Sequence, residues 1–192
     1  MIPKIIAIAG NAGVGKDTFY KEAAVILKKK GYTSVRFAFA DGIKKVLNPV
    51  IFDTFGFNID EADKKQKNLI RPILVSFGCA ARDFTEGQVF IDKIEKKIVD
   101  QVYLSNNPPD FIFITDLRFA EYDYDEADFI KKHHGIIVYL DRIDEKTGVL
   151  IPPANEKEIS NNRILKERSD YVFTLKNMED IKWAFSQIKI KE

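Results

Sequence analysis

The stretch AIAGNAGVGKDTF, residues 7–19, leads an apolar segment into three glycines and a lysine, and then into a helical pattern. Such a turn between strand and helix leaves several backbone N–H groups unpaired at the positive end of the helix dipole. That arrangement receives an anion, and a polyphosphate fits it. Gly10, Gly15 and Lys16 satisfy the pattern G-x-x-x-x-G-K, with Asn11, Ala12, Gly13 and Val14 between them. Their position between a strand and a helix is the context that gives the pattern weight. The glycines permit close approach and unusual dihedrals, and Lys16 brings a point charge to the outer phosphates. The plainer reading is a tight turn with an exposed lysine.

The residue after the lysine departs from the pattern. Asp17 stands where serine or threonine would supply a magnesium ligand, and Thr18 follows. Either the Thr18 hydroxyl and N–H serve the phosphates while phosphates and water hold the metal, or Asp17 takes a metal role, or Asp17 is an acidic first-turn residue favoured by the dipole. Asp116 ends the apolar run FIFIT, so it projects at the carboxyl edge of a sheet, where open α/β folds bind ligands. A carboxylate there holds a magnesium-bound water or orients a hydroxyl, or else N-caps the segment that follows.

The elements that must carry these residues follow from periodicity. KIIAIA (4–9), SVRFAFA (34–40), FIFITD (111–116), IIVYLDR (136–142) and DYVFTL (170–175) read as strands, the most apolar of them buried on both faces. Between them lie helical patterns: DTFYKEAAVILKKKGY, a short helix in DGIKKVLNPV stopped at Pro49, LIRPILVSFGCAARDF with Pro72 in its first turn, VFIDKIEKKIVDQVYL, DYDEADFIKKHHG, EKEISNNRILKER and NMEDIKWAFSQIKI. Residues 52–67 lack a clean period and read as an excursion. Gly148, Pro152 and Pro153 mark residues 143–156 as a loop or lid. The alternation predicts an α/β fold with a five-stranded parallel sheet covered on both faces.

Composition narrows the partners. In 192 residues, 30 Lys and Arg against 29 Asp and Glu leave a net charge of +1. That gives no whole-molecule case for a nucleic-acid polymer or an anionic membrane, so anion recognition is local. The single cysteine, Cys79, excludes an intrachain disulfide and a cysteine-held zinc, and reads as a small core residue. The apolar N-terminal run is too short for a membrane helix and passes straight into the glycine turn. The expected location is the cytoplasm, the chain's own or a host's. His133 and His134, before Gly135, read as caps at a helix end.

Taken in chain order, GNAGVGKDT, FAFADGIKKVL, RPILVSFGCAARDF with VFI shortly after, ITDLRF and IIVYLDR resemble segments of the phage-type deoxynucleoside monophosphate kinases, a group within the P-loop nucleoside monophosphate kinases. The resemblance runs from Ile5 to Arg142 and more faintly to Tyr171. It implies one P-loop kinase domain over residues 1–192, with three layers, an acceptor-binding insertion at about 41–105 and a lid at about 143–168. It implies transfer of the γ-phosphoryl of ATP to the 5′-phosphate of a deoxynucleoside monophosphate with Mg²⁺, small nucleotides as partners, and a family in which dimers form.

By the same resemblance, Gly10 to Thr18 bind the nucleotide, and Lys16, Asp116, Arg118 and Arg142 form the catalytic set. Asp41, Lys44, Arg71, Arg82 and Arg118 face the acceptor, and Asp17 and Asp116 face the metal. Each arginine is otherwise a solvated or salt-bridged side chain. Two departures stand out. The family often has histidine and serine before a glutamate in its lid, where this chain has Pro153, Ala154, Asn155 and Glu156, which leaves the lid roles of Arg142, Arg163 and Arg168 open; and the acidic, aromatic run Glu121 to Asp128 is longer than usual. Two other readings keep the glycine loop: a kinase of a small phosphorylated metabolite, as in animal-type phosphomevalonate kinases, and a nucleotide-binding switch.

Overall fold

The apolar runs become five parallel strands of one sheet. They are β1 (Lys4–Ala9), β2 (Ser34–Phe37), β3 (Phe111–Leu117), β4 (Ile136–Arg142) and β5 (Tyr171–Leu175), in the order β2-β3-β1-β4-β5. All pairings are parallel. The computed structural model describes residues 3–190. Ile6, Ala7, Ile8, Ile112, Phe113, Ile114, Ile137 and Val138 are wholly buried, because helices cover both faces. The continuous apolar runs in the sequence have this cause.

On one face, α1 (Lys16–Lys29) and α7 (Met178–Gln187) pack Phe19, Leu27, Ile181 and Phe185 against Ile6, Ile8 and Phe113. On the other face, α4 (Gln88–Tyr103), α5 (Glu126–Lys132) and α6 (Glu156–Arg168) set Phe90, Ile94, Phe129 and Leu165 against Ile5, Ala7 and Ile112. The result is a three-layer α/β fold. Two more helices, α2 (Ala40–Phe55) and α3 (Lys64–Thr85), share a small core of Ile51, Ile59 and Ile70 beyond the carboxyl edge. Since α4 packs on the sheet, the part of 41–105 that projects is α2 and α3. Among the described residues no helix is long and apolar enough to cross a membrane.

Three local expectations are corrected. First, β2 stops at Phe37 rather than residue 40, because both oxygens of Asp116 take backbone N–H groups, from Phe39 (2.7 Å) and Ala40 (2.8 Å), and turn the chain into α2. Second, α2 continues through Pro49 to Phe55. An interior proline costs about 3 kcal/mol, and the buried Ile51 beyond it supplies the opposing apolar contact. Third, α3 starts at Lys64, so Pro72 lies in its interior. A reciprocal capping box moves the start: Asp63 accepts from the Gln66 N–H and the Gln66 side chain accepts from the Asp63 N–H, each at 2.8 Å.

The glycine loop depends on one close approach. Gly10 has φ 131°, and a Cβ there would lie 2.2 Å from the Leu140 carbonyl oxygen of β4. Gly10→Ala is expected to lower stability by about 2 kcal/mol or more, seen as a melting temperature several degrees lower. An unchanged melting curve would show that the loop can move away from β4.

Candidate active site

β1 is the central strand, with β3 on one side and β4 on the other, so the chain's connections diverge at its carboxyl end. That is the switch point where open α/β sheets form a crevice. Residues 10–15 fill it. Gly15, at φ 98°, is the N-cap of α1 and brings no side-chain cap, so the first N–H groups of the helix stay open to a ligand. Lys16 is only 8% exposed and folds back over the loop, its Nζ donating to the carbonyls of Gly10 (2.7 Å) and Asn11 (2.8 Å). Burial first, and the charge of Arg118 second, lower its pKa to about 8; Glu158, Asp116 and Asp17 pull the other way. Arg142 stands beside the loop, its Nη1 3.5 Å from where a Gly15 Cβ would be, and pairs at 3.5 Å with Glu145.

The segment after β4 is fastened to this loop. The Asn11 side chain donates to the Ile151 carbonyl (2.7 Å) and accepts from the Asn162 side-chain amide of α6. Glu158, in the first turn of α6, reaches furthest. One of its oxygens accepts from Arg118 Nη1 (2.8 Å), the other from the N–H groups of Ala154 (2.9 Å) and Ala12 (3.4 Å). This buried carboxylate therefore bridges Arg118 and the phosphate loop. Sequence reasoning missed it, because Asn155 followed by Glu158 has capping-box spacing, which points a glutamate at its own helix start.

The other acids are more committed than the sequence suggests. Asp116 is a clamp on the entry to α2, not a cap of the segment after it. Asp17 accepts on one oxygen from Arg36 Nε (2.8 Å) and the Thr115 hydroxyl (2.9 Å). Burial pushes the Asp17 carboxyl up, but the Arg36 hydrogen bond and charge, with Thr115 and Lys16, outweigh it and hold it below its usual range. Among the described residues no three His, Cys, Asp or Glu side chains gather to hold a metal, so Asp17 and Asp116 do not form a protein-made cage.

A cavity of about 350 Å³ opens between α2, α3 and the carboxyl edge of β3. Ile43, Ile59, Ile70 and Leu74 make an apolar wall; the basic groups of its lining are Lys44, Lys67, Arg71, Arg82 and Arg118, and the acidic ones Asp60, Asp116 and Glu158. Arg71 is exposed and has no ion pair among the described residues, whereas Lys44 pairs with Asp60 at 3.1 Å. Cys79 is half-buried on the wall rather than in the core. Two residues expected to face the acceptor already have partners. Asp41 lies outside this cavity, held by the Ala38 N–H (3.1 Å), Arg36 (3.5 Å) and Lys97 (3.6 Å). Arg82 touches the cavity, but its guanidinium is buried against Glu126 (2.7 Å) between the rings of Phe90 and Phe119. Further out, Arg163 pairs with Glu167 on the surface and Arg168 grips Asp125 and Asp128, so neither lines the cavity.

Fold and loop together define the class: a three-layer α/β protein with a P-loop at the carboxyl end of its central strand. No protein-family profile matches the chain, and no curated protein matches it. Solved structures are similar to it at low identity. Dephospho-CoA kinase from Campylobacter jejuni shares 20% identity over 95% of this chain and 94% of that one, with a TM-score of 0.46. TT1252 from Thermus thermophilus shares 17% over 97% and 96%, at 0.48. Shikimate kinase from Bacteroides thetaiotaomicron shares 14% over 96% and 95%, at 0.38. These overlaps are loose and assign no activity.

The lowered Lys16 pKa has a measurable consequence. Below pH 8 the ammonium is charged and ready for a polyphosphate; above it the free protein loses that charge. Relative to Lys16→Arg, which stays charged, wild-type affinity for inorganic tripolyphosphate is expected to fall about tenfold between about pH 7 and pH 9. Calorimetry on both proteins checks this, and parallel pH curves would place the Lys16 pKa higher.

Proposed function

We propose that this chain is a kinase that transfers the γ-phosphoryl group of ATP to the 5′-phosphate of a deoxynucleoside monophosphate. The observation that carries the reading is the second site beside the glycine loop. Its apolar wall suits a base, and Arg71 and Arg118 suit an acceptor phosphate. A switch that only binds a nucleotide has little need of a second phosphate cradle.

Phosphoryl transfer asks the protein chiefly for positioning and for positive charge around the moving group. The open N–H groups of α1 and the Lys16 ammonium hold the donor phosphates. Arg118 stands within reach of both loop and cavity, so it bears on the acceptor phosphate and on charge developing at the transferred group. Arg71 holds the outer side of the acceptor, and Arg142, beside Gly15, adds charge on the donor side. When bound, Mg²⁺ would supply positive charge against that of the donor phosphates. The residues fit an ion held mainly by phosphates and water, with the Thr18 hydroxyl and the second Asp17 oxygen, which takes neither the Arg36 nor the Thr115 hydrogen bond, as the protein groups that would hold it. Segment 143–168 acts as the lid that excludes water.

The test is ADP formation from ATP and Mg²⁺ with each deoxynucleoside and ribonucleoside monophosphate in turn. Turnover with one or more deoxynucleotides is expected, reduced about 100-fold or more in Lys16→Ala and in Arg118→Ala. Turnover with none, in a protein that still binds ATP, sinks the nucleotide acceptor and leaves a small phosphorylated metabolite or a switch.

A further inference from the structure

Beneath the cavity lies an ion pair that the proposed transfer does not use. The Arg82 and Glu126 side chains are 5% and 2% exposed. One Glu126 oxygen accepts from Arg82 Nε (3.1 Å) and Nη2 (2.7 Å). The other accepts from the backbone N–H groups of Arg118 (3.2 Å) and Phe119 (3.3 Å). The guanidinium lies 4.4 Å from the Phe90 ring centre and 3.8 Å from that of Phe119, and its Nη1 donates to the Gly78 carbonyl (3.3 Å). Gly78 leaves the room: a Cβ there would lie 2.8 Å from Ile43 Cδ1 and 3.2 Å from Arg82 Nη1.

Stability alone does not account for such a pair, since well-packed apolar replacements of buried pairs are often as stable or more so. An apolar substitute lacks one thing, an acceptor for the N–H groups of Arg118 and Phe119. These residues follow β3 directly, where the ladder no longer fixes the backbone. The direction of the Arg118 side chain therefore depends on this anchor.

We propose that Arg82 and Glu126 are a positioning pair for Arg118: Glu126 holds the backbone from which the Arg118 guanidinium projects, and Arg82 holds Glu126. The inference rests on the reading above that Arg118 meets phosphate. Arg118 already shares the Glu158 carboxylate with the loop's Ala12 N–H, so a phosphate at the loop lies within its reach.

The test measures tripolyphosphate affinity by calorimetry in wild type, Arg118→Ala, Glu126→Gln and the double variant. Each single change is expected to weaken binding about fivefold to tenfold, and the double variant to bind no worse than Arg118→Ala. A purely structural role would give additive losses. Arg82→Met with Glu126→Leu removes the pair without leaving a buried charge alone; it loses the acceptor of the Arg118 and Phe119 N–H groups, so it should melt lower yet still fold, and show the same loss and the same coupling. That variant decides the matter if Glu126→Gln does not fold. Unchanged affinity in Arg118→Ala or in the apolar pair, or additive losses, overturns the proposal. Wild-type turnover with the monophosphates is read separately: coupled binding without turnover keeps the pair and removes the nucleotide acceptor, while turnover with additive losses does the reverse.

Discussion

The site depends on an ammonium buried at the end of the central strand. Lys16 leaves water to fold back against its own loop, and the Gly10 and Asn11 carbonyls replace the lost hydration. Those carbonyls face inward because Gly10 runs against Leu140 at a distance no side chain allows. The loop therefore rests on the β1–β4 pairing, and the strand order determines where the phosphate-seeking charge stands. Burial makes this ammonium easier to deprotonate, so its charge is secure only when an anion or the surrounding acids support it.

Arg118, Glu158, Asp116 and Asp17 complete that surrounding field, and all but Arg118 favour the charged lysine. Glu158 fills part of the role a phosphate would take, sharing Arg118 and a loop N–H. On the proposed function, an arriving phosphate group would compete with that carboxylate for Arg118, and binding at the loop and the contact of α6 with it would draw on the same donors.

What could be read from the sequence was whatever neighbouring residues decide among themselves. The loop was legible because strand, glycines, lysine and helix adjoin, and the strands were legible because burial on both faces removes alternation. The prolines misled because local rules stop a helix at Pro49 and keep Pro72 near a start, while burial of Ile51 and the Asp63–Gln66 box carry α2 and α3 past those limits. The roles of the charged residues were hidden for a different reason. Arg82 meets Glu126, Arg118 meets Glu158, and Asp116 meets Phe39, all across long separations in sequence. A sequence shows that an arginine is present, but not whether a carboxylate from another element already holds it.

Those distant pairings also link the parts of the site. Arg168, at the far end of α6, grips Asp125 and Asp128 at the start of α5. The next residue after Asp125 is Glu126, which anchors the Arg118 backbone, and the Arg118 side chain returns to Glu158 at the near end of α6. The circuit is closed: α6 is held at both ends by groups that meet at the start of α5. Burial raises the Asp125 and Glu126 carboxyls above their ordinary range, and their arginine partners oppose this. Buried charges tolerate the loss of a partner poorly. Freeing either end of α6 would therefore leave a buried carboxylate, Asp125 or Glu158, without its arginine, and Glu158 stands at the near end. That end is the one touching the phosphate loop.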